Sequence, residues 1–404
     1  AFNRLQFFPD DAAIRFDFGF GIKSVVAIAP IDGQYEPADQ ATPIENVNYL
    51  VLQGSHDSDV SFFAGYRPYR RVRFTGSDYH FKASIYTYRA NHGQFNTVWG
   101  KYDGGPPFDR FINTAPLLSG EEQRQVAKIY ISAFLEATLH GRREYVALFR
   151  DYRSVSSWLP KTIYFSQFED SDYRVVSNFD DGIDVTRTTV PGGSQIGENL
   201  SIWREQNLKL RSDWNTRNKA ILLGWEDREE DGAAKGAVAT FTLTLPERLA
   251  SEWKLDNNSQ LVFSVADTDE DPKKWKPEDE KKADTKKEQE EKKDAQEGKK
   301  ERKEPVDFTV ELTAAGGAVA SLPLSRFAPV QPVLKVKFTK WNYLENALYK
   351  KPWEPVCQTW ELPLSTFADA APGWNPAELK QIRFRFDRTK KGVLVLDEIG
   401  FASR

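Results

Sequence analysis

The 404-residue sequence has one cysteine, Cys357, no methionine and four histidines. A single thiol excludes an intrachain disulfide and any zinc site built on several thiolates. No stretch approaches the roughly 18 consecutive apolar residues that span a bilayer, and no leader pattern opens the chain. Excess positive charge is also missing: 55 Lys and Arg face 59 Asp and Glu, for a net charge of -4. The chain therefore lacks the basic footprint that a nucleic-acid backbone requires, and nucleic acid is excluded as an expected partner. The absent methionine, together with Ala at position 1, points to a processed or incomplete product.

Aromatic residues are plentiful, with 27 Phe, 15 Tyr and 11 Trp, and 40% of residues are hydrophobic. Such a chain can bury enough apolar surface to fold, and its length fits two or three domains at roughly 100–200 residues each. One segment departs from this composition. Residues 267–304 carry 15 acidic and 13 basic side chains, and Trp275 is their one apolar residue larger than Ala. They cannot form a core and read as a solvated, mobile insertion between two strands, at residues 260–265 and 307–312.

Residues 1–158 alternate strand and helix. Short β-branched or aromatic runs at 22–29, 49–52 and 83–88 read as buried strands of a parallel sheet. A helix is expected over 119–140, where Ser119 and Glu122 form a capping box and Gly141 suits the C-terminal cap. Val126, Ile129, Tyr130, Ala133 and Ala137 give it one apolar stripe. From 159 to 404 the pattern changes to short alternating segments, at 162–166, 239–245, 307–312, 334–338, 359–364, 382–387 and 393–397. In 382–386, Ile, Phe and Phe alternate strictly with Arg. This second part is expected to be an all-β jelly roll or sandwich.

Among the histidines, His140 ends a helix, where a cation suits the dipole, and His80 has no local partner pattern. His92 stands apart. It follows the strand at 83–88 on a loop with Gly93, while Asp57 lies on the loop after the strand at 49–52. Neighbouring parallel strands that end in Asp and then His can bring a carboxylate to an imidazole and fix its tautomer for general-base work. Asp59 on the same loop is the competing acid, which this spacing does not separate from Asp57.

These loops resemble those of the α/β-hydrolase family, particularly dienelactone-hydrolase, cutinase and chlorophyllase-like esterases. Gly54-x-x-Asp57-x-x-Val60 is similar to the family's catalytic-acid loop, and Ala90-Asn91-His92 to its histidine loop. The resemblance spans residues 1–158. It implies the C-terminal part of an α/β-hydrolase sheet, with Asp57 as acid and His92 as base, acting on a small or polymeric ester without metal or organic cofactor. Arg89 stands where relatives often have Gly. The family's Gly-x-Ser-x-Gly elbow occurs nowhere; residues 192–197 lack the second Gly at its place. Residues 1–11 read as the tail of the helix that follows the elbow. The early strands and the serine are then expected upstream, removed or on a separate chain.

Residues 379–386 and 392–401 resemble jelly-roll, galactose-binding-like modules, in which Trp341, Trp353, Trp360 and Trp374 are available to stack on sugars. The first expectation is thus a carboxylic-ester hydrolase, with an acyltransferase using the same triad not distinguished. The alternative is a non-catalytic binding or assembly protein on a hydrolase scaffold, whose sandwich binds carbohydrate or a protein. The scarcity of Cys and the aromatic sandwich point to an extracytoplasmic location, periplasmic or secreted.

Overall fold

A computed structural model of the chain describes residues 21–34, 36, 41–180, 182, 184–226, 237–272, 304–349 and 351–403. The expected helix tail at 1–11 and most of the charged insertion lie outside the described residues.

The first sheet contains β1 (Ser24–Ile28), β3 (Asn48–Gly54), β5 (Phe81–Thr87) and β6 (Tyr164–Asp170) in the order β1-β3-β5-β6. The first three are parallel and β6 is antiparallel to β5. β2 (Ile44–Glu45) and β4 (Val72–Arg73) form a separate two-residue ladder beside it. The remaining strands make two antiparallel sheets. One contains β7 (Arg174–Ser177), β9 (Ile202–Lys209), β10 (Asn215–Glu226), β12 (Ser259–Asp267), β15 (Gln358–Pro363) and β17 (Lys391–Ser403), ordered β15-β12-β17-β10-β9 with β7 also on β17. The other contains β8 (Ser194–Glu198), β11 (Thr240–Thr244), β13 (Thr309–Ala314), β14 (Val319–Pro323) and β16 (Leu379–Arg385), ordered β14-β13-β16-β11-β8.

Side-chain alternation stacks these sheets. In β3, Leu50 and Leu52 pack with Ala83 and Ile85 against Val126, Tyr130 and Phe134 of the helix Gly120–Leu139. That helix has the expected Ser119–Glu122 capping box, and Gly141 follows it at φ +71°. Tyr49 and Val51 point the other way, into a cluster with Leu222, Val393 and Val395 of the six-stranded sheet. The opposite face of that sheet supplies Ile221, Leu223, Phe263, Leu394 and Leu396 to the sandwich core, facing Phe241, Val310, Ile382 and Phe384. The six-stranded sheet is buried on both faces, so its strands are continuous apolar runs such as residues 393–396. In β16, Ile382 and Phe384 are fully buried while Arg383 and Arg385 reach Glu311 on the outer face.

The all-β sandwich is thus present, and the α/β-hydrolase sheet is corrected. A doubly wound sheet carries helices on both faces; here a helix covers one face and a β-sheet the other. The first sheet also takes its fourth strand from beyond residue 158. The strand expected at 334–338 is instead a loop. Its amides turn elsewhere, Val336 N to Pro352 O at 2.8 Å and Phe338 N to Glu345 Oε1 at 3.0 Å.

Phe384 packs on Phe241, Phe263 and Phe308. Phe384→Ala should cost about 3–5 kcal/mol, whereas Ile196→Ala, at an exposed position, should stay within about 0.5 kcal/mol. Urea unfolding of both variants checks this.

Candidate functional site

The first sheet places two loops side by side. β3 ends at Gly54 and β5 at Thr87, and the chains then stay in contact: Ser55 N donates to Thr87 O at 3.0 Å, and His56 N to Ala90 O at 2.8 Å. A Cβ on Gly54 would lie 2.4 Å from Ala90 O, so only glycine allows this approach. Arg89 turns the second loop at φ +68°, a conformation that normally selects glycine.

This crossing brings Asp57 and His92 together. His92 Nδ1 lies 2.9 Å from Asp57 Oδ2. Asp57 is buried, and its other oxygen accepts from Val60 N at 2.7 Å and Asp59 N at 3.1 Å. Gln53 Nε2 approaches Oδ2 at 3.3 Å. Asp59, the competing acid, is exposed and stands 3.7 Å from His92 Nε2, on the far side of the ring. Burial pushes the Asp57 carboxyl up to about 6, against the opposing pull of the His92 hydrogen bond. That same hydrogen bond raises His92 above its ordinary value.

Asp103, which sequence reasoning missed, ties the loops together. Its Oδ2 accepts from Ser58 N at 3.0 Å and His92 N at 3.1 Å, and its Oδ1 from Asn91 Nδ2 at 2.6 Å and Gly93 N at 2.9 Å. Gln123 of the long helix brackets Asn91 from behind, accepting from its N and donating to its O. The other histidines lie apart from this pair. His56 is buried on Tyr88, hydrogen bonds with Ser55 Oγ at 2.7 Å, and is pushed down to about 3 by burial, Arg211 and Arg89. His80 meets Asp78 O, and His140 pairs with Glu136 one turn back.

An aromatic surface adjoins the pair. Trp99 stacks on His92 with ring centroids 5.7 Å apart and an 11° interplanar angle, yet is 64% exposed. Asn96 Oδ1 fixes its backbone by accepting from Val98 N at 2.8 Å and Trp99 N at 2.9 Å. Residues 93–113 then lead past exposed Tyr102 and half-buried Phe108 and Phe111 to a bridge between Ile112 and Thr339. Beyond it, Trp341 meets Phe111 edge-on at 5.1 Å and is 60% exposed, next to the exposed Tyr343. Of the four tryptophans available for sugar stacking, Trp353, Trp360 and Trp374 are buried in the interior. Trp99 and Tyr102 were legible as aromatics in a Gly- and Pro-rich stretch, residues 96–107. Among the described residues no cluster of His, Cys, Asp and Glu could hold a metal ion.

No protein-family model matches the chain, and no curated protein matches it. Among solved structures, it is similar to a family 30 carbohydrate-binding module, with TM-score 0.29 and 11% identity over 51% of this chain and 78% of that one. It is also similar to the family 11 carbohydrate-binding module of the cellulosomal cellulase Lic26A-Cel5E of Clostridium thermocellum, with TM-score 0.28 and 10% identity over 57% of this chain and 95% of that one. An exo-β-agarase matches with TM-score 0.30 and 10% identity over 57% of this chain and 25% of that one. These are remote likenesses, and none is to an α/β hydrolase. Membership of that family, and with it carboxylic-ester hydrolysis by a Ser-Asp-His triad, is corrected on the fold: a β-sheet covers the first sheet where hydrolase helices would lie.

The two shifts at the Asp57–His92 pair have one sign. At this pair the folded state holds more protons than the unfolded state from the ordinary Asp value of 3.8 upward, so the pair's contribution to stability declines as pH rises from there through the raised His92 value. In Asp57→Asn the midpoint of the His92 ring protons, followed by NMR, should fall toward 6.5.

Proposed function

We propose that this protein is a non-catalytic carbohydrate-binding protein whose ligand lies on the aromatic surface beside Asp57 and His92. The carrying observation is the pair of indoles, Trp99 and Trp341, each more than half exposed and each held by a protein ring on one side, His92 and Phe111. Each indole leaves a ring face open to solvent on which an apolar ligand surface can stack. The C–H faces of a pyranose are apolar and flat enough to stack on an indole, and its hydroxyls need hydrogen-bonding groups close by. Asp59 and His92 Nε2 supply an acceptor and a titratable partner beside Trp99, while Lys101 and Lys340 border Tyr102 and Trp341.

In this reading Asp57 and His92 are binding-site residues. Asp57 orients the imidazole through Nδ1, which leaves the Nε2 edge for a ligand hydroxyl. Because both indoles are already held, little rotamer freedom is lost on binding. Binding to a polysaccharide agrees with an extracytoplasmic location, which forms part of the same proposal.

Affinity electrophoresis and calorimetry against soluble β-glucans, xylan and agarose-derived oligosaccharides test the proposal. Trp99→Ala and Trp341→Ala should each weaken binding about tenfold, equivalent to ~1.4 kcal/mol. Trp158→Ala, at an exposed tryptophan whose carbonyl accepts from Gln125 of the long helix, should leave it unchanged. Wild-type protein that binds no polysaccharide, or binding indifferent to both indoles, would contradict the proposal.

A further inference from the structure

A buried ionic group from the antiparallel part of the chain reaches the loop that bears Asp57. Arg211, 2% exposed, donates through Nη1 to Ser55 O at 3.2 Å and Ser61 O at 3.3 Å, the carbonyls at the two ends of residues 55–61. The same nitrogen meets Glu354 Oε1 at 3.0 Å. Glu354 Oε2 accepts from Phe63 N at 3.1 Å, just past the loop, and from Arg211 N at 3.4 Å. Tyr86 of β5 joins both partners, donating to Glu354 Oε1 at 2.7 Å and accepting from Arg211 Nη2 at 3.4 Å.

The group is specific in its geometry. Arg211 is followed by Ser212 and Asp213, both in the left-handed region at φ +57° and +56°, a conformation that costs backbone energy in non-glycine residues. Nη1 of the guanidinium gathers two carbonyls of one loop and a carboxylate while Nη2 reaches Tyr86, a set of donors that a lysine ammonium at one point does not reproduce. Between the gripped ends, Asp57 accepts from Gln53, Asp59 and Val60 and pairs with His92, and the loop is tied at His56 to Ala90 O and at Ser58 to Asp103, so Arg211 and Glu354 supply the hold on its two ends.

We propose that Arg211 and Glu354 are positioning residues that hold the 55–61 loop so that Asp57 meets His92, making the candidate site dependent on the connections between β9 and β10 and before β15. The affinity consequence rests on the carbohydrate reading; the geometric one does not. Arg211 touches neither His92 nor the exposed indoles, and the groups facing His92 are Asp57, Asp59, Asp103 and the Trp99 ring.

The test is Arg211→Met combined with Glu354→Gln, which leaves no buried charge unpaired, with Arg211→Lys as the conservative variant. Each full-length protein is followed by thermal melting, by NMR titration of the His92 ring and by polysaccharide affinity. The expected result is a folded double variant whose His92 midpoint falls toward 6.5, as in Asp57→Asn, with a smaller fall in Arg211→Lys. Polysaccharide affinity should weaken several-fold in parallel. If the double variant does not fold, Arg211→Lys decides by the same midpoint. A folded variant with an unchanged His92 midpoint overturns the inference. If wild-type protein binds no polysaccharide, the carbohydrate reading fails while the midpoint still tests the positioning.

Discussion

The ion pair between Arg211 and Glu354 is the constraint on which the arrangement of the site depends. Both side chains are almost fully buried, where a charge without a partner would cost several kcal/mol, so each fixes the other. Such a pair adds little net stability over well-packed apolar residues. It does define geometry through its other hydrogen bonds. Apart from Arg211 Nε, which has no partner among the described residues, they go to Ser55, Ser61, Phe63 and Tyr86, so the pair fastens the first sheet and its Asp57 loop to residues distant in sequence. A second buried group works in the same direction: Arg70, after β3, meets Asp180, Asp397 and Glu398.

These ionic clamps sit within a layered apolar body. The six-stranded sheet is covered on one side by the first sheet and on the other by the five-stranded sheet, and the long helix closes the far side of the first sheet. The mouths of β3 and β5 remain at the edge of this stack. There the loops leave the sheet, Asp103 joins them, and residues 93–113 carry aromatic side chains out to meet Trp341. Packing therefore gives rigidity to a surface whose indoles remain in water.

Parts of this were legible in the sequence because their causes are local. The capping box at Ser119 and Glu122, the alternation at 382–386 and the meeting of a carboxylate of the 54–60 loop with His92 follow from spacing. The last holds because adjacent parallel strands end side by side. The choice of Asp57 over Asp59 came from the loop resemblance. Other parts depend on distant residues. A run such as 393–396 reads the same in a parallel strand beneath helices as in an antiparallel strand between two sheets. Nothing near residues 49–52 shows that a β-sheet covers them, so the two loop motifs at 54–60 and 90–92 that carried the hydrolase reading had no local sign against them. The union of Arg211 with Glu354 spans 143 residues and has no periodic signature. Trp341 cannot be told from Trp360 by composition, since the segment around it must fold before either is exposed or buried.

The proposed carbohydrate site sets two indoles at the edge of the layered body, beside the Asp57–His92 pair. Indole N–H signals of isotope-labelled protein, recorded by NMR during titration with a soluble polysaccharide that it binds, test this most directly. The account predicts that the Trp99 and Trp341 signals move together and saturate at one concentration, while those of the buried Trp225, Trp360 and Trp374 stay in place. Saturable binding that leaves Trp99 and Trp341 unmoved would contradict it.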